Sequence, residues 1–567
     1  MHDLVIKNGT VVDGTGSPGR HADLAVADGI VTEIGTDLGS ATRTIDATGH
    51  IVSPGFVDVH THMDAQIAWD PRGECSCFHG VTTAVMGNCG FTLAPVRDHE
   101  RDLVVRNLER AEDIAAEAMA AGIDWSWQTY PEYLDFVDRT PKGINYAGYV
   151  GHSALRTWAM GERAFEEEAN DADIAMMVGQ VKDSIRAGAV GFTTSISGNH
   201  ETSDDRPVAS RIASRAEINA LVGAMGEVGA GIFELAHDLQ LRSRDPARRE
   251  DYISWLVDLA VTTGVPFTYG MLAFGSADHL WRPVVELLDR INSGGGTSWA
   301  QVHTRQFGAL LSFQTRTPFD NLPVWADVRA QSLDEQRAAL RDPSLREKLV
   351  SEAEHGDYGR AIGAEARKPE WNWVYPVTAG LPPYETIEAI AARRGTSEMN
   401  AFVDIALESD LEMFFMQAAA NQDQDLVLEL MQHPRAIPTF SDSGAHVSQI
   451  MDSSLQTHLL GHWVRDKAAF TVEHAVNRMT QVPARAWGFA DRGELGPGMA
   501  ADINVFNLDT VSPNLPELLY DLPGGARRLR QTATGFMATL VNGEVLIEDG
   551  EPTGATSGQL LRGPLAS

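Results

Sequence analysis

Across residues 56 to 490, short apolar runs alternate with amphipathic helical stretches, and this alternation limits what the chain can become. The candidate strands are VTTAVMGN, INYAGYVGH, AVGFTTS, GIFELAH, PFTYGML, SWAQVHT, LEMFFMQ and AIPTFSD. Between most of them lie helical patterns such as DADIAMMVGQVKDSIRAG and SRAEINALVGAMGEVG, each ending on the glycine that helix C-termini favour. Repeated strand-then-helix predicts a parallel sheet. About eight such units fit an α/β fold of the (β/α)8 TIM-like barrel type, with an open doubly wound sheet as the alternative. The polar residues favour the barrel. His60, His62, Asn88, Cys89, His152, His237, His303 and Asp442 all fall at C-terminal ends of predicted strands, the end at which a barrel builds its active site.

The two ends of the chain read differently. Residues 1–55 alternate short apolar runs with glycine-bearing turns (LVIKNG, TVVDGTG, ADLAVADG, IVTEIG), an antiparallel pattern. The pattern returns in residues 491–567, with an Asn542-Gly543 turn. Neither end is long enough for a stable sheet with two covered faces, so both are expected to join in one small β-sandwich domain flanking the 56–490 barrel. Residues 306–370 are less regular, with the charged stretch SLDEQRAALRDPSLREKLVSEAE and the tryptophan-bearing KPEWNWVYP. They are expected to be an insertion that covers the barrel mouth or simply runs over the surface.

The formal charge of −33, from 78 acidic against 45 basic residues, disfavours nucleic acids and anionic membranes as partners. No apolar run is long enough to cross a bilayer, and MHDLVIKNG lacks a secretory pattern, so a cytoplasmic location is expected. Cys75, Cys77 and Cys89 are odd in number and close together, which fits a reducing compartment better than a disulfide framework. Nothing shows coiled-coil heptads, and association into homo-oligomers stays open.

The run IVSPGFVDVHTHMD reads as a buried strand ending in His60 and His62. Residues two apart on a strand project to the same side, so the two imidazoles point together while Thr61 points away. A bare His-x-His is more often a pair of satisfied core histidines. Cys89 ends the second strand and Asp442 the last, and two imidazoles, a carboxylate and a thiol suit a divalent ion of the zinc type with an open position for water. Such an ion would activate the water and polarise a carbonyl, with Asp442 as the group that takes and passes on the proton.

The segments DLVIKNGTVVDGTG, PGFVDVHTHMD, HGVTTAVMGNCGFTLAP, GYVGHSALR, SDSGAH and MTQVPARAWGFADRGELGPGMAADINVFN, in that order, resemble the metal-dependent amidohydrolase superfamily, more narrowly its D-aminoacylase or N-acyl-D-amino-acid deacylase branch. The match is good over both ends and the first third, and poor from about 230 to 435. The resemblance implies the barrel with a terminal sandwich and hydrolysis of an amide C–N bond in a small molecule such as an N-acyl amino acid. It implies His60, His62, Asp442 and Cys89 as metal ligands.

The chain also departs from the family pattern. Where the branch has a further histidine, an ungapped reading puts Ala236, and His237 would substitute only across a β-bulge. Met271, Leu272 and Ala273 stand where another histidine and a lysine would follow, so one Zn2+ per chain is expected. The His-Pro-Arg group that follows the last aspartate in the family is missing from SGAHVSQIMD, and His433-Pro434-Arg435 lies before the aspartate. His152 is a candidate for polarising a carbonyl, and His303, Arg305 and His446 for contacting substrate. Two other readings remain at this stage: a catalytically silent relative kept for binding or assembly, and a metal-dependent hydrolase of esters, lactones or amidines.

Overall fold

The computed structural model describes residues 2–359, 367–449 and 452–565. The expectations for 360–366 within the insertion, for Ile450 and Met451, and for the extreme terminal residues lie outside the described residues. Among these residues no helix is long and apolar enough to cross a membrane.

The middle of the chain is an α/β structure with two parallel sheets. One has three strands, Phe56–Thr61, Val81–Met86 and Asn145–Gly148; the other runs Val150–Gly151, Gly191–Ser195, Ile232–Ala236, Phe267–Gly270, Ser298–Val302 and Ala436–Pro438. The strands are short, and Phe56–Thr61, Val81–Met86 and Gly191–Ser195 are buried at every residue. Burial on both faces is why these segments read as nearly continuous apolar runs rather than as alternating ones. The sheets adjoin at one side through Tyr149, the single residue between Gly148 and Val150. On the other side Thr61 bridges Ser443 in parallel, and Val59 N–H donates to Thr439 Oγ1 at 2.8 Å.

Local sequence sets the intervening helices. Asn170 makes a capping box with Asp173 ahead of Asp171–Ala187, and Gly188 ends that helix at φ 114°. Ser214 caps Arg215–Val228, which Gly229 ends at φ 77°.

Strands from both ends of the chain share one nine-stranded sheet. Its joint is Ile51–Pro54, parallel to His2–Val11 on one side and antiparallel to Ile503–Phe506 on the other. Leu4, Ile6, Leu24 and Val26 from one end pack with Ile503, Val505 and Leu540 from the other. The chain leaves this sheet at Gly55, where a Cβ would sit 2.1 Å from Thr82 Oγ1, so only glycine lets the backbone pass directly into Phe56–Thr61.

Two expectations change. LEMFFMQ is not a strand of the parallel sheets: Phe415–Ala420 pairs antiparallel with Phe307–Leu311 and Val374–Pro376. The irregular segment therefore extends past residue 370. Residues from Ala309 to Phe415, including Leu311, Phe313, Trp325, Leu340 and Phe402, form a hydrophobic core of their own. A strand alternation alone does not say which sheet it joins. Trp371, from KPEWNWVYP, packs against Phe402 at 5.8 Å in this core.

Candidate active site

His60 and His62 project together, their ring centroids 5.5 Å apart, and both are buried. Thr61 turns the other way, donating Oγ1–H to Val85 O at 2.9 Å. The next connection fixes the height of His62: its N–H donates to Ser443 O at 2.7 Å, one residue past Asp442. This backbone bond brings the last strand's carboxylate onto the first strand's imidazoles. Asp442 Oδ1 lies 3.1 Å from His60 Nε2 and 3.5 Å from His62 Nε2.

Cys89 follows Val81–Met86 in a left-handed conformation, φ 55°, between Gly87 and Gly90. Its N–H donates to Glu234 Oε2 at 2.8 Å, and its Sγ is 3.6 Å from His60 Nε2. The donor atoms of His60, His62 and Cys89 all lie within 4.8 Å of one another.

The electrostatics of this cluster suit a cation. His60 Nδ1 donates to Gln301 Oε1, so in the neutral ring Nε2 turns its lone pair toward Asp442. Lone pair facing carboxylate is unfavourable until a positive charge lies between them. Burial opposes charge on every member. It works against the Asp442 carboxylate, yet the two imidazoles outweigh it and hold the carboxyl below its ordinary range. Burial likewise lowers both imidazoles. In His60 the nearer Asp442 contact prevails and the ring is raised, whereas His62 is pushed down to about 4.

Burial, then Glu234, Glu112 and Asp442, drive the Cys89 thiol well up. Burial, then Asp442, Asp64 and Glu234, raise Glu112 in the same way. A divalent cation would relieve all of these at once, so the residues present fit the metal that such a donor set selects.

The cluster opens into a cavity of about 690 Å³ whose wall includes His60, His62, Cys89, Glu112, Glu234 and Asp442. His446 is on this wall, with Nε2 3.8 Å from Glu112 Oε2 and its N–H donating to Glu112 O. Phe307, Gly308 and Ala309 bring the inserted segment to the same wall.

Three sequence candidates are placed elsewhere. His152 is buried off the cavity: Nδ1 accepts from Thr194 Oγ1 at 2.7 Å and Nε2–H donates to Glu217 Oε1 at 2.9 Å. Glu217 also pairs with buried Arg156, so the expectation that His152 polarises a carbonyl gives way to a scaffold position. His303 turns Nδ1 back onto its own loop, accepting from Arg305 N–H at 3.2 Å, and neither His303 nor Arg305 lines the cavity expected to use them. Their strand ends at Val302, and the turn after it folds inward, with Thr304 donating to Leu455 O at 2.8 Å.

His237 does line the cavity but stays out of the histidine–cysteine cluster. Ile232–Ala236 runs in unbroken register with Gly191–Ser195, without the bulge that would turn His237 inward. Its Nε2–H donates to Gly270 O at 3.2 Å. The same strand instead delivers Glu234 to Cys89. An acidic residue inside the apolar IFELA was the available signal for this. Glu112, in the turn after the helix Arg101–Glu109, and Gln301 gave no comparable one.

A model of the amidohydrolase family matches residues 43–547. The chain belongs to the amidohydrolase family. Among curated amidohydrolases it is 27% identical to the N-acyl-D-glutamate deacylase of Alcaligenes xylosoxydans xylosoxydans, over 99% of this chain and 96% of the relative. It is 26% identical to the D-aminoacylase of the same organism, over 99% and 97%. The crystal structure of N-acyl-D-glutamate deacylase from Bordetella bronchiseptica, complexed with zinc and a phosphonate inhibitor, superposes with a TM-score of 0.64 at 25% identity, covering 99% of both chains. The likeness to the D-aminoacylase branch thus spans both chains nearly end to end. Amidohydrolases of this branch hydrolyse non-peptide C–N bonds.

Proposed function

We propose that this chain hydrolyses the amide C–N bond of a small N-acylated molecule with a single zinc ion held by His60, His62 and Asp442 and with Cys89 as the further ligand. One observation carries the reading: two imidazole nitrogens meet one carboxylate oxygen at 3.1 and 3.5 Å, with a thiol beside them, on the wall of an open cavity. When bound, the ion supplies Lewis-acid polarisation of the scissile carbonyl and a water made acidic enough to attack near neutral pH.

The remaining work falls to the protein. Asp442 Oδ1 is committed to the imidazoles, which leaves Oδ2 to accept the attacking water's proton and deliver it to the leaving nitrogen. Glu234 holds the Cys89 backbone in its left-handed turn, and Gln301 fixes the His60 tautomer. Ala236, Met271 and Ala273, where the family's further ligands would fall, carry no donor side chains, which supports one ion rather than two.

The same reading joins the two parallel sheets into one eight-stranded barrel, with Asn145–Gly148 and Val150–Gly151 counted as one strand interrupted at Tyr149, supported by the contacts through Tyr149 and Thr61–Ser443. It treats the terminal sheet as a β-sandwich around the core shared by both chain ends.

The test is metal content by elemental mass spectrometry together with amine release from N-acyl-D-amino acids, N-acyl-L-amino acids and cyclic amides. About one zinc per chain with turnover of an amide is expected. Asp442→Asn should remove turnover, by at least the roughly 10²- to 10⁴-fold typical of a lost proton-transfer group, while the protein stays folded. Full activity in that variant would refute the assigned role, and a wild-type protein that neither retains zinc nor cleaves any amide would refute the hydrolase.

A further inference from the structure

We propose that Glu112 is a direct ligand of the zinc ion, standing at the His62 end of a row of donors whose other end is Cys89. The inference rests on the metal-centred reading above and adds a donor from outside the two parallel sheets. Cys89 Sγ lies 3.6 Å from His60 Nε2, and Asp442 Oδ1 lies 3.1 Å from that nitrogen and 3.5 Å from His62 Nε2. Glu112 Oε2 continues the row, 3.6 Å from His62 Nε2. Ligand atoms bound at about 2.0–2.3 Å around one tetrahedral zinc lie roughly 3–4 Å apart, so this oxygen is spaced from its neighbour as Asp442 is.

Among the described residues, the ion pairs of Glu112 are with imidazoles alone, His62 and, at 3.8 Å, His446. The charges that act on it most are Asp442, Asp64 and Glu234, all acidic. The arginines beside it are engaged elsewhere, Arg110 with Asp205 and Arg316 with Asp113. Arg242, Arg367 and His237 border the same cavity without pairing with it. Yet Glu112 is only 2% exposed. A carboxylate buried among other acids and imidazoles lacks the positive charge that burial demands, and a divalent ion at His62 supplies it.

The chain holds Glu112 in place on two sides. The residue follows the helix Arg101–Glu109 in a turn whose Leu108, Ala111 and Ile114 are buried. Glu112 N–H donates to Leu108 O at 2.9 Å, and its carbonyl accepts from His446 N–H. Asp113, left-handed at φ 48°, accepts from Ser448 Oγ at 2.7 Å. Both anchors lie on the loop that carries Asp442, so the two carboxylates are fixed relative to one another before an ion arrives. Glu234, the remaining buried acid on this wall, commits Oε2 to the Cys89 N–H instead.

The experiment loads the whole chain with one equivalent of Zn2+ or Co2+. Zinc affinity is read by chelator competition and the ligand set by visible absorption of the cobalt form, for wild type, Glu112→Gln, Glu112→Ala and Glu234→Gln. Glu112→Gln should weaken zinc by more than about 100-fold, beyond the roughly 10- to 100-fold of a residue that only orients a ligand, whereas Glu234→Gln should stay inside that range. Glu112→Ala should shift the cobalt spectrum, and added acetate, a carboxylate small enough to take the place of the lost side chain, should restore it. If Glu112→Ala does not fold, Glu112→Gln, which keeps the side-chain shape, decides alone. An unmoved cobalt spectrum, or a zinc loss in Glu112→Gln no greater than that in Glu234→Gln, would overturn the assignment. Zinc lost from Glu112→Gln in a protein that cleaves no amide would sink the hydrolase reading and keep the ligand. Amide turnover by wild type alongside an unmoved spectrum in the Glu112 variants would do the reverse.

Discussion

Replacing Glu217 by glutamine decides whether His152 is part of the scaffold or of the chemistry. Glu217 and Arg156 are both closed to solvent, with Arg156 Nη1 2.6 Å from Glu217 Oε1. Arg156 Nη2 reaches only backbone carbonyls, Ala164 O at 3.3 Å and Glu167 O at 2.6 Å. Glu217→Gln keeps the shape and removes the charge, leaving a buried guanidinium without its counter-ion. Breaking a buried pair in this way costs about 3–5 kcal/mol, a shift of roughly two to nearly four decades in the folding equilibrium. Urea titration followed by tryptophan fluorescence reads it directly. The double variant Glu217→Leu with Arg156→Met removes both charges together and should recover most of the loss. His152→Gln disturbs the same network through one hydrogen bond and should cost about 1–2 kcal/mol, with turnover per folded molecule preserved. A loss below about 1 kcal/mol in Glu217→Gln would refute the argument. So would a fully stable His152→Gln whose turnover falls more than about a hundredfold, since that is the mark of a catalytic proton-transfer group.

His60→Ala combined with His62→Ala should lose bound zinc while keeping native circular dichroism; stoichiometric zinc in that variant would refute the metal site. Gly444→Ala places a Cβ 2.5 Å from His62 O and 2.6 Å from its carbonyl carbon, against backbone that cannot rotate away, at a φ of +95°. It should displace Asp442 and weaken zinc affinity at least tenfold, measured by chelator competition, and an unchanged affinity would show that the loop yields. His79 is buried, with Nε2–H donating to Gln531 O and Nδ1 accepting from Thr457 Oγ1, and burial pushes it down to about 3. Its folded value lies below the unfolded value of about 6.5, so the unfolded chain binds the extra proton and stability falls as pH drops from about 6.5 toward 3. The slope is at most about 1.4 kcal/mol per pH unit for this group, and urea midpoints against pH should flatten by that amount in His79→Gln; an identical acid limb in the variant would exclude His79 as a source.

The sequence determined whatever depends on backbone period and on chemistry carried within one segment. The two-residue pleat put His60 and His62 on one side and Thr61 on the other before any partner was known. Terminal glycines marked the ends of Asp171–Ala187 and Arg215–Val228, and the alternating middle and β-rich ends matched their sheets. Tertiary structure alone decided which faces meet. Gln301 stands 241 residues from His60 and Glu234 145 residues from Cys89, and no local period encodes such encounters. LEMFFMQ is as good a strand as its neighbours, and only the core around Trp325 and Phe402 explains why it left the parallel sheets. His152 ended a predicted strand as His60 did. It turned instead to Glu217, the buried carboxylate that also neutralises buried Arg156. Residue type and spacing fix the donors a chain can offer, but the packing of distant elements fixes which donors converge, since that packing is set by burial summed over the whole core.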